Sequence, residues 1–569
     1  LLAFMAGPMV GTTFPGGTKW TVCSRSPQTY IWGEASASGF FGAQMKRGGF
    51  DGIVFRGKAK EPVYLLADEG KAEVKSANHL WGKDTIETAN IIQSDLGERK
   101  ARVACIGPAG ERLVRFAAIV TDEERVAARS GMGTVMGSKN LKAVAVKGDQ
   151  RVHVADEGKF RKIVEEVREA VKPPKAPTYT VSRIEGLTAD GTARAVEGLE
   201  KSGALPTKNW MRGAFPNAYK ISGTTMSKTI LSKRAMCALC GIITCWRIVD
   251  LGTSPYAPLK GHGPEYETIA SLGSLCMNEN LEAIAKANDL CNRFGIDTIS
   301  TGGVIAFAME CYEKGILSED DTGGIHLTWG DPNLIINLVE LIGRREGFGA
   351  LLGEGVRRAA EKIGKGAENY AIHVKGLEFP MHEPRRWWTM ALAYATSNRG
   401  ACHLQGIPAY LEWGLLQPEF GFHQQLPPFV EEGKAEAVKF HQDFSAAFTS
   451  MGHCQFTIGG VIPFKLVAQA FSAITGRDID HLGLLKCGER IWNVKRAFNV
   501  RMGVSTKDDT LPKRFLEEPL SEGATAGKLP PFKSMLERYY SLRGWKEGKP
   551  TRDKLEELGL HEIVKDLWP

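Results

Sequence analysis

The period of the hydrophobic positions changes near residue 150. Before it, short apolar runs recur between Gly and Pro turns: WTVCSRS, GIVFRG, VYLLAD, ARVACIG, VRFAAIV and KAVAVKG. Runs of this length bounded by turn residues predict strands. The chain opens on LLAFMAGPMVG, with no initiator Met, and reads as the inside of a buried strand, so a leading segment is expected before it. Two glycine-dense stretches interrupt this half, GEASASGFFG at 33–42 and RSGMGTVMGSKNLKA at 129–143. Both are expected to be loops. They are either plain turns or places where backbone N–H groups approach a phosphate or a flat heterocycle. Neither fits G-x-G-x-x-G or the phosphate-loop pattern.

From about residue 155 the period is helical. Phe160, Ile163, Val164, Val167 and Val171 fall on one helix face. Residues 174–236 are polar and punctuated by Pro and Gly, and are expected to form a long connection. Asn280 is placed to cap a helix over Leu281 to Phe294 that ends at Gly295. Further helices are expected in GGVIAFAMECYEKG, near 333–346 and near 352–363, with Ser318 to Asp331 a solvated acidic loop. The last third begins near 376 with GLEFPMHEPRRWW. It holds ALAYATSNRGACHLQG and TSMGHCQFTIGG, then alternates helical patterns with polar turns. The fold class is α+β, with a β-rich region at 1–150 and two mainly helical regions at 151–375 and 376–569.

Composition narrows the function classes. At 569 residues the chain is too long for one core. Its 43% hydrophobic and 24% charged content is that of an ordinary globular protein. A net charge of +7 without a basic run or a basic–aromatic stripe gives weak steering of anionic partners and argues against nucleic-acid binding. No signal peptide and no membrane-length apolar stretch is visible. The eleven cysteines lack the spacing of a secreted disulfide framework, so reduced thiols and a cytoplasmic location are expected.

The candidate chemistry centres on CALCGIITC, which places Cys237, Cys240 and Cys245 within nine residues. Three thiols this close on a turning backbone suit metal–thiolate ligation, and such sites usually take four ligands. No Cys or His follows soon enough, so a fourth must come from far along the chain. Iron–sulfur ligation ranks first, zinc second, and buried structural cysteines last.

GPMVG, GMGTVMGSKNLKAVAV, the cysteine run, GPEYET, NRFGIDTISTGG and RGACHLQG occur in this order, and together they resemble the tungsten-dependent aldehyde ferredoxin oxidoreductases along nearly the whole chain. The resemblance implies a β-rich first domain against two helical ones, with a metal held by two pyranopterins between them. It implies a pterin loop at Asn292, Gly295 and Asp297 and a second at Thr449, Gly452 and Cys454. Cys454 would then be the distant fourth ligand of a [4Fe–4S] cluster with Cys237, Cys240 and Cys245. The glycine-rich stretches of the first domain would offer Ser36, Gly39 and Thr134 to the cofactor. His403 matches the family's active-site histidine, and Glu265 or Glu267 its carboxylate. Tungsten is the expected metal, with molybdenum as the substitute and magnesium bridging the pterin phosphates. An aldehyde substrate, ferredoxin or an iron–sulfur subunit as electron acceptor, and a homodimer complete the implied set.

The sequence departs from the pattern. Asn292 and Thr449 stand where the family's loops lead with Asp, four residues precede the third Cys instead of three, and Ser36 replaces an Asn. These departures point to a bacterial branch. They keep open the tungsten subunit of a class II benzoyl-CoA reductase, and from another class a non-catalytic electron-carrier or zinc-stabilised subunit. Cys402, Cys291, Cys276 and Cys311 are expected to be packing residues.

Overall fold

The computed structural model describes residues 1–98, 100–121, 124–458 and 460–568, with the backbone alone at Ile458. The first 150 residues build two sheets. One has the order β3-β2-β1-β4, from Trp32–Ala37, Trp20–Arg25, Leu2–Ala6 and Gly52–Phe55. The second has the order β6-β5-β10-β7-β8-β9, from Lys71–Ser76, Val63–Asp68, Leu141–Lys147, Arg102–Cys105, Ile119–Thr121 and Arg125–Ala127. β10 runs parallel to β5 and antiparallel to β7. The opening segment is the buried strand its sequence implied: Leu2 and Phe4 face a core while Met5 is exposed.

Three expectations for this half are corrected. In VRFAAIV only the end lies in a strand, β8 at Ile119–Thr121. The backbone of residues 114–118 is committed elsewhere: Arg115 N–H donates to Gly353, Phe116 C=O accepts from Asp297, and Ala118 N–H donates to Gly295. In GEASASGFFG, Gly33 to Ala37 pair with β2 in full register, and Phe41–Arg47 is a helix. The stretch at 129–143 holds a helix over Met132–Ser138. Its glycines serve packing there. A Cβ on Gly133 would lie 2.3 Å from the Ala118 oxygen, and one on Gly137 1.9 Å from the Gly110 oxygen.

Beyond residue 155 the chain is mainly helical, as its period required. Asn280 caps Leu281–Phe294 by accepting from Ala283 N–H, and Gly295 ends it with φ +70°. The expected connection at 174–236 is corrected: it holds helices at Thr178–Asp190, Ala195–Lys201 and Gly223–Thr229. Their few apolar contacts, such as Leu187, Val196 and Leu199, were too sparse to show a period. The helix near 352–363 is two pieces, Phe348–Leu352 and Val356–Ile363. The acidic loop contains one helical turn, Glu319–Thr322, closed by a capping box between Ser318 and Asp321. β11 Leu231–Ala235, β12 Trp246–Asp250 and β13 Lys260–His262 form an antiparallel sheet around the cysteine run. The helix Glu157–Ala170 packs Phe160, Ile163, Val164 and Val167 into a core shared with residues 440–484 and with Met9 and Phe14.

The first region meets the helical ones through backbone. Two long helices, Leu281–Phe294 and Lys434–Met451, end in left-handed glycines, Gly295 and Gly452. Ala118 N–H donates to the Gly295 carbonyl at 2.8 Å and Lys19 N–H to the Gly452 carbonyl at 2.9 Å. Met9 N–H reaches Met451 at 3.1 Å, and Cys454 N–H reaches Gly16 at 2.8 Å. Gly107 and Gly7 make the approach sterically open. A Cβ on Gly107 would lie 2.4 Å from the Phe294 oxygen, and one on Gly7 2.1 Å from the Met451 carbonyl carbon.

Gly7→Ala is therefore expected to destabilise the protein by about 1–3 kcal/mol, the usual cost of overpacking. Gly198→Ala, in an exposed helix position with no atom within 4 Å of the added Cβ, should be neutral or stabilising. Paired thermal and denaturant melts of the two variants check this.

Candidate functional site

The cysteine run lies beside β12 and faces the first region. Cys237 and Cys240 are buried with Trp246, and Phe40 and Cys245 pack beside them. Cys245 donates to Cys237, and with Arg125, the Ser38 side chain and the Gly39 N–H it pulls the Cys237 thiol down against the opposing effect of burial. Cys245 is correspondingly pushed up by that same hydrogen bond and by burial. Cys454 arrives from the end of the helix Lys434–Met451. Burial pushes its thiol up to about 11, and the field of Cys240 and Cys237 adds to this. Backbone N–H groups of Ile243, Ile242 and Gly16 point at Cys240, and that of Phe456 at Cys454. Cys454 thus lies within the field of Cys237 and Cys240, and thiols flanked by N–H donors are of the kind an iron–sulfur cluster takes. Among the described residues, no group of three or more His, Cys, Asp or Glu is arranged to hold a single metal ion.

The two helix-end loops lie where the first region docks. Asn292 Nδ2 donates to Glu124 Oε2 at 2.9 Å, and its carbonyl accepts from the Thr85 hydroxyl. Burial lifts the Glu124 carboxyl to about 7. Asp297 caps the helix Thr298–Glu313 through Ile299 and Ser300 N–H and accepts from Arg129 at 3.2 Å. Thr449 is half-buried at the corresponding turn of the second loop. Of the first-region candidates, Ser36 lies 2.9 Å from the Thr21 hydroxyl and Thr134 donates to the Val114 carbonyl, while Gly39 turns toward Cys237.

The two candidate carboxylates part company. Glu265 ends up on the cysteine side, with Oε1 3.5 Å from Arg125 and Oε2 accepting from the Thr192 hydroxyl. Glu267, in the first turn of the helix Tyr266–Leu272, faces His403. Its Oε1 lies 3.5 Å from His403 Nε2 and 3.2 Å from His382 Nε2, and neither contact is an aligned hydrogen bond. Its Oε2 accepts from Met381 N–H at 2.7 Å. Burial alone would raise Glu267, but His403, His382 and that N–H outweigh it and hold the carboxyl down at about 2. Burial lowers His403 to about 3, with Glu267 only partly offsetting it. The resting pair is an ionised carboxylate against a neutral imidazole. Glu267 Oε1, His403 Nδ1 and Arg129 Nε are all buried without a hydrogen-bond partner, which marks room for a polar occupant.

Beside this pair, Arg399 donates twice to Cys402 Sγ, at 3.0 and 2.7 Å, and once to the Glu34 carbonyl. Cys402 is thus more than a filler, whereas Cys276, Cys291 and Cys311 are buried in the apolar core. Burial would raise Glu34, but Lys495 and Arg399 bring it down to about 2. Glu34, Glu124, Arg129, His382 and Arg399 carry no signal in the sequence. No spacing marks them, because each makes a contact across more than a hundred residues, Arg399 through the Glu34 carbonyl.

Comparison with known proteins places this geometry. The family profile "Aldehyde ferredoxin oxidoreductase, N-terminal domain" matches residues 1–148, and "Aldehyde ferredoxin oxidoreductase, domains 2 & 3" matches 163–560. The chain belongs to the aldehyde ferredoxin oxidoreductase family. It is 41% identical over 568 residues to a tungsten-containing aldehyde ferredoxin oxidoreductase of Pyrococcus furiosus, covering 99% of this chain and 90% of that one. The corresponding protein of Thermococcus kodakarensis is 40% identical over 569 residues, with the same coverage. A solved structure, the active site complex BamBC of benzoyl coenzyme A reductase with 1,5 dienoyl-CoA, superposes with a TM-score of 0.84 at 25% identity. The match covers 99% of this chain and 89% of that chain. Like other members of the aldehyde ferredoxin oxidoreductase family, the chain is an oxidoreductase with a β-rich first region and helical domains. No described helix is long and apolar enough to cross a membrane.

Buried neutral histidines give this fold an acid-sensitive stability. Burial lowers His373 and His441 to about 3, as it does His403, from an ordinary 6.5. Below pH 6.5 the unfolded chain binds protons that the folded one does not, so stability falls as pH falls toward 3. The slope should be about 1 kcal/mol per histidine per pH unit. His441→Phe should lessen it in denaturant melts between pH 7 and 5.

Proposed function

We propose that this chain oxidises aldehydes to carboxylic acids at a tungsten bis-pyranopterin centre and passes the electrons through a [4Fe–4S] cluster to ferredoxin or a ferredoxin-like subunit. The observation that carries it is the buried pair of Glu267 and His403, with Oε1 and Nδ1 unpartnered. The names of the relatives supply the tungsten, the aldehyde and the ferredoxin. The helix-end loops at Asn292 to Asp297 and Thr449 to Cys454 would hold the pterins, and Cys237, Cys240, Cys245 and Cys454 the cluster. When bound, the metal centre supplies the two-electron redox chemistry.

The reaction joins water oxygen to the aldehyde carbon and releases two protons and two electrons. A side chain must take the water proton. Because Glu267 is ionised and His403 neutral, His403 begins turnover as an acceptor at Nδ1, and any donor step comes after it has been protonated. Glu267 then stabilises the imidazolium through Nε2. Glu265 faces Arg125 and Thr192 and has no part in this exchange. A second reading, reduction of an aromatic acyl-CoA, draws on the benzoyl coenzyme A reductase likeness. The aldehyde relatives are the nearer in sequence, at 41% against 25% identity, and parallel anaerobic assays with an aldehyde and an aromatic acyl-CoA separate the two.

At equal tungsten occupancy, His403→Ala and Glu267→Gln should lose about 100- to 10,000-fold in kcat, as removal of a general acid or base does. Glu265→Gln should stay near wild type. Near-normal turnover of the His403 variant would leave it a structural histidine. Cys454→Ser should abolish the iron–sulfur absorbance as fully as Cys240→Ser, and a retained [4Fe–4S] spectrum would break the long-range pairing.

A further inference from the structure

Glu267 is gripped by more than its catalytic partner. We infer that His382 is a positioning residue for Glu267, orienting the carboxylate so that His403 turns Nε2 toward it and keeps Nδ1 free for the reacting proton. The inference rests on the aldehyde-oxidation reading above.

Two adjacent residues clamp both carboxylate oxygens. Met381 N–H donates to Oε2 at 2.7 Å, and His382 Nε2 stands 3.2 Å from Oε1, closer than His403 at 3.5 Å. The clamp is itself fixed. Tyr266 donates its hydroxyl to the Met381 carbonyl, Tyr394 donates to the His382 carbonyl at 3.3 Å, and His382 N–H donates to Pro380 at 2.8 Å. The His382 ring packs 5.3 Å from Tyr266, 5.7 Å from His403 and 6.3 Å from Trp413, centroid to centroid. Groups on separate elements thus fix the backbone at 381–382, and the packed ring sets one imidazole nitrogen beside one carboxylate oxygen.

The chemistry follows from the donor inventory. A carboxylate only accepts, and a neutral imidazole has one N–H and one lone pair. The oxygen anion, with the two Nε2 atoms 3.2 and 3.5 Å away but not in aligned hydrogen bonds, favours N–H over a lone pair at these positions, and so leaves the lone pair of His403 on Nδ1. That is the buried atom without a partner. The other titratable or charged groups facing the pair are the Tyr266 and Tyr394 hydroxyls, both un-ionised, and the Arg129 and Arg399 guanidiniums on the His403 side. With His382 removed, Glu267 loses one of the three groups that oppose its burial, and its carboxyl titrates higher.

The test compares His382→Phe with His382→Gln, which keeps an N–H donor, in holoenzyme of matched iron and tungsten content. One readout is the pH dependence of kcat/KM for an aldehyde. The other is the infrared band of the protonated Glu267 carboxyl across pH, assigned by its loss in Glu267→Gln. In His382→Phe the acid limb and the band should both move up by about one pH unit or more, the order one charge-stabilising contact supplies. Its kcat at neutral pH should fall about 10- to 100-fold, and His382→Gln should recover most of both effects. An unmoved limb and band in His382→Phe would overturn the inference. So would equal losses in the two variants with neither pH readout shifted, which is the signature of packing. A wild-type holoenzyme that oxidises no aldehyde would instead overturn the function, and the carboxyl band would still decide the role of His382.

Discussion

The structure depends on the close approach of one backbone to the ends of two helices. Gly295 and Gly452 finish the helices in the left-handed conformation, where their N–H groups meet the last helix carbonyls and their own carbonyls face outward. Those carbonyls are taken by Ala118 and Lys19 of the first region. The contact is main chain to main chain, so it tolerates no Cβ at Gly7 or Gly107. Everything functional hangs from it. The loop after one helix carries Asp297, the loop after the other carries Cys454, and both are set against the first region by the same kind of bond. A large part of the glycine content of the chain's first half is explained by close packing of this sort, not by flexible turns.

Charge buried near that seam is kept in check by pairing. Glu34 is held by Lys495 and by Arg399 nearby, and Asp297 by Arg129. Glu267 differs. It faces two imidazoles and one backbone N–H, and among the described residues no lysine or arginine is paired with it. Partners of this kind lower a carboxyl without cancelling its charge, so the negative charge stays available to a neighbouring histidine that gains a proton. A lysine or arginine in the place of His382 would neutralise the site that the chemistry needs. Burial acts in the same direction on His403 by keeping it uncharged until it is used.

Much of the fold was legible. The change of hydrophobic period near residue 150 marked the switch from sheets to helices, and the Asn280 cap and Gly295 stop bounded the helix that leads to Asp297 through local residues alone. Some of the misreadings came through glycine. Residues 129–143 looked like a loop because small residues usually signal turns, but here they let a helix press against neighbouring backbone. In the site, the cysteine run and RGACHLQG announced themselves. Their spacing could not separate Glu265 from Glu267, two residues apart on one segment, nor suggest His382, 115 residues from the carboxylate it faces.

By itself the sequence determined which residue types were available, where a capped helix such as Leu281–Phe294 begins and ends, and which cysteines lie close along the chain. These are local matters, set by backbone preference and by side chains within a few positions of each other. The tertiary structure alone decided which carboxylate meets His403, because positions two residues apart at a helix start point in different directions. It alone decided that Glu267 stays ionised and His403 neutral, because both states are set by desolvation and by charges brought from distant segments. The pairing of donors with acceptors across hundreds of residues is a property of the packed chain, and no local pattern encodes it.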